Sequence, residues 1–181
     1  MILNSLPVKS FYLIRHGETI ANANSIIAGI TDVPLSALGR YQAQTLAEHT
    51  WPDRIALFSS PLTRAQDTCQ LAFPGYDFKI HDGIMERNWG IFEGRNLSEL
   101  STREDTPDEG ESWPAMLARV HHAISEICVI SGSSYPVIVC HSGVIRAVRV
   151  LWTSGTVGDR PLNAAPILFH RSAHKIEEKP Q

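Results

Sequence analysis

The sequence predicts an α/β fold, a mostly parallel central sheet with helices on both faces. Three observations predict it. Short apolar runs of strand length recur at residues 11–14, 55–58 and 137–140. Segments with helical spacing and recognisable caps separate them. The polar residues richest in chemistry directly follow these runs, where parallel sheets place ligand-binding groups.

Taken in order, Phe11-Tyr12-Leu13-Ile14 is a buried strand that feeds a loop at Arg15-His16-Gly17. Asp32-Val33-Pro34 is turn-like. Ser36 caps a helix to about His49, with Leu38, Tyr41, Gln42, Thr45 and Leu46 at helical spacing. Trp51-Pro52-Asp53 breaks it. A second strand covers residues 55–58. Ser60-Pro61 opens a helix with proline in its first turn, running to about Ala72 before Pro74-Gly75. A third strand lies near Phe78 to His81. Residues 87–111 read as a solvated loop with a helical turn near Leu97 and an acidic end. Ser112 with Trp113-Pro114 opens a long helix to about Ile130. Val137–Cys140 is the clearest buried strand, and a helix follows from about Gly143 to Trp152. The tail, Pro166 to Glu177, holds one or two strands.

The 181 residues are 43% hydrophobic and 19% charged, and they carry a net charge of −3. A single domain over residues 1–181 is expected, with no repeat or linker. The net charge offers no basic footprint for nucleic acid. No apolar run has the length of a membrane span, and Met1–Ser10 lacks the features of a leader, so a cytoplasmic protein is expected. Cys69, Cys128 and Cys140 have no metal or disulfide spacing, and at least two read as small core residues. No cofactor is indicated, and the oligomeric state is open.

Three clusters converge on one rim of such a sheet. Arg15-His16-Gly17 joins a guanidinium, which grips phosphate oxygens as a planar fork, to an imidazole that can attack phosphorus. A surface arginine beside a structural histidine is the plain alternative. Arg64 sits near a helix N-terminus, a natural anion site. His141-Ser142-Gly143 lies between a strand and a helix, where small residues and a charged imidazole favour an oxyanion. A structural histidine is again the alternative. Glu86 precedes the aromatic stretch Trp89-Gly90-Ile91-Phe92. A carboxylate in such surroundings holds its proton more readily and can serve as a general acid. A solvated glutamate is the competing assignment.

Leu13-Ile14-Arg15-His16-Gly17-Glu18-Thr19 with Asn22 resembles the opening motif of the histidine phosphatase superfamily, the phosphoglycerate mutase-like fold. Pro34-Leu35-Ser36 with Gly39 and Gln42-Ala43 is similar to its next segment. Ser59–Ala65 with Thr68 resembles the second-arginine motif. Glu86 with Gly90 and Glu93-Gly94 resembles the acid segment, followed by Gly110-Glu111-Ser112. Val139–Arg146 resembles the second-histidine motif. These occur in the family's order from residue 11 to about residue 150.

The resemblance implies a three-layer fold and a metal-independent phosphomonoesterase. It makes His16 the nucleophile and Glu86 the acid and base. Arg15, Arg64 and His141, the last as imidazolium, become the clamp on the phosphoryl oxygens. Asn22, Ser142 and Gly143 are expected to contact a small phosphorylated substrate. The family usually has glycine where Ser142 stands. Its mutases carry a longer, arginine-rich insertion after the acid. Here residues 87–111 are short, and their acids outnumber Arg87, Arg95 and Arg103. Such a flap should repel a multiply charged sugar-acid phosphate, which favours hydrolysis over phosphoglycerate mutase-type transfer. Trp89, Ile91 and Phe92 are candidates for the leaving-group pocket.

Three other mechanisms compete. Cys140 to Arg146 fits C-x5-R, the loop of cysteine-dependent phosphatases, but leaves Arg15, His16, Arg64 and Glu86 unexplained. The pocket could bind a phosphorylated ligand without turnover, although all five expected catalytic positions are intact. A metal hydrolase finds no ligand spacing, since His121-His122 is an adjacent pair on a helix.

Overall fold

A computed structural model describes residues 5–100 and 102–180. Met1–Asn4, part of the stretch read above as lacking a leader, lie outside the described residues. Six strands form one sheet: β1 (Phe11–Arg15), β2 (Ile55–Ser59), β3 (Phe78–Ile80), β4 (Tyr135–Cys140), β5 (Pro166–Arg171) and β6 (Ile176–Pro180). Their order is β3-β2-β4-β1-β5-β6. The first four in that order are parallel, and β5 and β6 are antiparallel additions beside β1. The expected mostly parallel sheet is therefore present, and the tail supplies two strands.

Side-chain alternation along β1 and β4 divides the core into two layers. Phe11, Leu13, Ile138 and Cys140 face α4 (Trp113–Ile130) and α5 (Ser142–Trp152), where they meet Met116, Val120, Ile124, Val144 and Ile145. Tyr12, Ile14, Val137 and Val139 face the opposite way, onto Ala65, Cys69 and Ala72 of α3 (Thr63–Ala72). Both strands are buried on both faces, which is why they read as unbroken apolar runs. Each fully buried Leu, Ile or Phe in these layers stabilises the fold by roughly 1.5–3 kcal/mol.

Several boundaries differ from expectation, each for a physical reason. The short helix α1 (Ile20–Ala23) was not foreseen. Thr19 and Asn22 close a capping box around it, with Thr19 Oγ1 accepting the Asn22 N–H and Asn22 Oδ1 accepting the Thr19 N–H. Helix α2 (Ala37–Thr45) is capped by Ser36 as expected and tightens into a 3₁₀ turn at Leu46–Glu48. It buries Gly39, Ala43 and Leu46, while Leu38 and Tyr41 are exposed. Helix α3 starts at Thr63, so Pro61 lies before it rather than in its first turn. Its cap comes from elsewhere in the chain, as Asp32 accepts the Thr63 N–H and hydroxyl.

The 87–111 stretch has 3₁₀ turns at Gly90–Phe92 and Leu97–Glu99. It is not simply solvated. Arg87 is fully buried and donates to the carbonyls of Arg103, Asp105 and Glu111. Its guanidinium stacks 4.3 Å from the Trp89 ring. One buried arginine thus ties the two ends of the flap together. Among the described residues, no helix is long and apolar enough to cross a membrane.

Candidate active site

Strands β1, β2 and β4 end side by side, and their carboxyl ends deliver the site. Arg15 closes β1, His16 follows it, Ser59 closes β2, and His141 follows β4. The register pairs Arg15 with Cys140 and Ser59 with Val139, so the three exits lie at one level. A cleft of about 240 Å³ opens above them. Of the expected residues, Arg15, His16, Asn22, Glu86, Ser142 and Gly143 line it. Arg64 and His141 lie beneath, 1% and 0% exposed.

His16 is held in one orientation and one tautomer. Its Nδ1 lies 2.7 Å from the Gly17 carbonyl, which can only accept. The ring proton is therefore on Nδ1, and Nε2 keeps its lone pair. The loop is locked further by the Gly17 N–H donating to Thr68 and by Asn163 donating to the His16 carbonyl. Gly17 and Gly39 permit a close backbone crossing, since a Cβ on Gly17 would sit 2.3 Å from the Gly39 carbonyl oxygen. Burial, then the charges of Arg64 and Arg15, hold His16 well below the ordinary histidine value of 6.5. A neutral, oriented imidazole with a free Nε2 can act as a nucleophile.

His141 faces it, with ring centroids 5.2 Å apart. Its Nε2 meets the Ser60 hydroxyl at 2.8 Å, and that hydroxyl already accepts the Leu62 N–H. That hydroxyl can give its own proton to Nε2, and in this tautomer the imidazole proton sits on Nδ1. Nδ1 is buried without a hydrogen-bond partner among the described residues, a donor available to a ligand oxygen. Burial, then the charges of Arg64, His16 and Arg15, hold His141 well below the ordinary histidine value of 6.5, so the imidazolium that the resemblance implies needs a bound anion to oppose them.

The two arginines are placed differently. Arg15 donates through Nη1 to the Pro161 carbonyl at 2.9 Å, and its Nε is buried and unpartnered. Burial and the neighbouring Arg160 lower its pKa to about 10, so it stays charged at neutral pH. Arg64 spends its Nη groups on the carbonyls of Thr31, Gly29 and Ala28. It fixes that loop and projects charge toward His16. Glu93 ties the same loop down by accepting the Gly29, Ile30 and Thr31 N–H groups.

Glu86 is oriented by two backbone donors. Oε1 accepts the Arg87 N–H at 2.8 Å and Oε2 the Gly143 N–H at 2.9 Å. The second donor belongs to the first turn of α5, so the carboxylate rests on a helix N-terminus. Asn22 reaches the cleft because the α1 capping box fixes its side chain. Of the three candidates for the leaving-group pocket, Trp89, Ile91 and Phe92, only Trp89 lines it, and Ile91 is exposed.

One further expectation changes. The acids of the flap, Glu104, Asp105, Asp108 and Glu109, are exposed and line none of the cleft, whereas Arg103 turns in, joined by Arg146 and Arg160. The cleft is thus basic, although the flap's composition is acidic. Cys140 is wholly buried in the α4–α5 layer, and burial pushes its thiol far above the ordinary range. That is the opposite of an activated cysteine. His122 is largely exposed and His121 partly so, both on α4 as expected. No three or more His, Cys, Asp or Glu side chains gather into a metal-binding group among the described residues.

Residues that sequence reasoning missed are Ser60, Arg87, Asn163, Arg103, Arg146 and Arg160. Ser60 and Arg146 stood inside motifs named above and could have been singled out. The others act through contacts between distant parts of the chain.

Comparison with known proteins accords with this geometry. The family model of the histidine phosphatase superfamily (branch 1) matches residues 11–163. The protein named Probable phosphoglycerate mutase GpmB from Escherichia fergusonii is 32% identical over 72% of this chain and 68% of its own. The Metal-independent phosphoserine phosphatase of Arabidopsis thaliana is 28% identical over 90% of this chain and 76% of its own. Among solved structures, TTHB049 from Thermus thermophilus superposes with a TM-score of 0.73 at 29% identity, covering 93% of this chain and 96% of that one.

Proposed function

Because the chain belongs to the histidine phosphatase superfamily, we propose that it is a phosphomonoester hydrolase that takes the phosphoryl group of its substrate onto His16. The observation that carries this is the pairing of a neutral His16, lone pair free on Nε2, with an oriented Glu86 in the same cleft. Nε2 attacks phosphorus while the bond to the leaving oxygen breaks, and Glu86 gives that oxygen a proton. Glu86 then takes a proton from water, whose oxygen attacks phosphorus as the P–N bond breaks. Inorganic phosphate leaves and His16 returns to its starting state.

Charge on the transferring group is met by Arg15 and by the Nδ1–H of His141, with Arg64 adding its field from below. A phosphate dianion entering between these groups favours protonation of His141, opposing the effect of burial. The flanking Asn22, Ser142 and Gly143 shape the substrate end of the cleft. Hydrolysis is favoured over transfer between sugar-acid phosphates by the short span after Glu86. A relative named as a metal-independent phosphatase, aligned over most of the chain, supports the same choice.

The test is hydrolysis of 4-nitrophenyl phosphate in excess EDTA, by wild type and by Cys140→Ala. Both are expected to turn over, within about threefold of each other, with no gain on adding divalent ions. Activity that dies with EDTA and returns with a metal would contradict the reading, as would a dead Cys140→Ala that still folds.

The pH profile gives a second check. Nucleophilic attack needs neutral His16, and its folded pKa is depressed, so the neutral form persists well below pH 6.5. The limb of kcat/KM set by His16 therefore lies on the acid side of 6.5. A histidine limb at or above 6.5, in a substrate whose own ionisation has been accounted for, would place the nucleophile elsewhere.

A further inference from the structure

The cleft holds more positive charge than a phosphoryl group needs. Besides Arg15 it is lined by Arg103, Arg146 and Arg160, while Glu86 is its one carboxylate among the described residues. Both oxygens of Glu86 already accept backbone N–H groups. None of the ion pairs among the described residues engages Arg103, Arg146 or Arg160. Arg103 Nη1 and Arg146 Nε are buried with no hydrogen-bond partner among the described residues.

Natural interiors satisfy nearly all buried donors, and unpaired buried charge is costly. Arg103 is moreover held in place, its guanidinium 5.1 Å from the Trp113 ring and 5.6 Å from the Trp89 ring. The like charges of Arg103 and Arg160 weigh on Arg146, and those of Arg160 and Arg146 on Arg15. Such mutual repulsion at a preformed site is relieved by an anion. The same cleft also has apolar lining from Ile26, Ile27, Leu97 and Leu100.

Given the phosphatase reading above, on which this rests, we propose that the leaving group of the substrate itself carries an oxyanion, a carboxylate or a second phosphate. Arg103, Arg146 and Arg160 receive it in the same cleft. Planar guanidinium forks match both kinds of oxyanion, and the apolar wall suits a short carbon stem between the two charged ends. The substrate class is a small phosphomonoester with a second negative terminus. Neutral polyols, amino alcohols and simple alkyl phosphates fall outside it.

The experiment compares 4-carboxyphenyl phosphate, the isosteric 4-carbamoylphenyl phosphate and 1,4-phenylene bisphosphate, with the corresponding 3-substituted series, at low ionic strength. The amide withdraws electrons at least as strongly as the carboxylate, so leaving-group chemistry cannot produce a preference for the acid. In at least one series wild type is expected to favour an anionic ester by about tenfold or more in kcat/KM, and whether carboxylate or bisphosphate leads identifies the oxyanion. Arg146→Gln and Arg160→Gln should each shrink that preference, cutting the anionic ester's kcat/KM several times more than the amide's.

Equal turnover of charged and neutral esters in both series overturns the proposal and leaves the phosphatase reading standing. A preference that survives both arginine variants also overturns it. Binding is measured in parallel by calorimetry with His16→Ala, which cannot turn the esters over. If wild type hydrolyses none of them but this variant binds the anionic ester about tenfold tighter, the inference holds and the phosphatase reading fails. If nothing is hydrolysed and nothing is preferred in binding, both fall.

Discussion

His16→Ala is expected to lose activity on any phosphomonoester by on the order of ten-thousandfold or more, the scale seen when a covalent nucleophile is removed. The loss should fall on kcat, since Arg15 and His141 remain to bind the phosphoryl group and Arg64 to add its field. The side chain is 5% exposed and its ring proton goes to the Gly17 carbonyl. Truncation therefore removes one local hydrogen bond along with the reactive nitrogen, and the fold should hold.

Rapid quenching of wild type during turnover should trap a phosphorus–nitrogen adduct that survives base and is lost in acid. It should be absent in His16→Ala. A folded His16→Ala that keeps more than about a hundredth of wild-type kcat would remove His16 from the role assigned to it. An acid-stable adduct would point to a different residue type as acceptor.

How far the sequence anticipated this site depends on the range of the contacts involved. Arg15, His16 and His141 were legible because β1 and β4 are short, uninterrupted apolar runs, and a polar residue at the end of such a run must exit the sheet at its rim. The long helix α4 was legible at both ends, since Ser112 caps it locally and Ser131 closes it. Glu86 was not legible from its neighbours, and only the order of family motifs pointed to it. Its position depends on donors at residues 87 and 143, and the second is supplied only when α5 packs beside it.

The start of α3 shows a local signal losing to a distant one. Ser60-Pro61 looked like a helix opening, but the Ser60 hydroxyl serves His141, and Asp32 caps the helix at Thr63 instead. The flap shows the same limit in electrostatics. Its acids outnumber its bases in sequence, yet the fold turns Arg103 inward and leaves Glu104, Asp105, Asp108 and Glu109 in water, and it brings Arg146 and Arg160 to the same cleft. Net charge over a segment says little about the field on one side of it.

Gly143→Ala tests the placement of Glu86 without touching it. Gly143 is the second residue of α5, where alanine would ordinarily stabilise a helix by up to about 1 kcal/mol relative to glycine. Here a Cβ would lie 2.0 Å from Glu86 Oε1, 2.9 Å from Met116 Cε and 3.0 Å from Glu86 Cδ. The carboxylate must leave its position on the Gly143 N–H. The fold gives by the movement of two side chains, Glu86 and the flexible end of Met116, so stability should change little while catalysis suffers.

The expected loss in kcat is on the order of a hundredfold or more, the usual worth of a positioned general acid. Its dependence on leaving group separates this cause from a damaged phosphoryl pocket. An alkyl oxygen needs the proton that Glu86 gives, whereas a nitrophenolate departs without it, so alkyl phosphates should suffer far more than 4-nitrophenyl phosphate. Equal losses on both would mean that the substitution spoils phosphoryl binding. Wild-type rates on the alkyl ester would mean that Glu86 is not the acid.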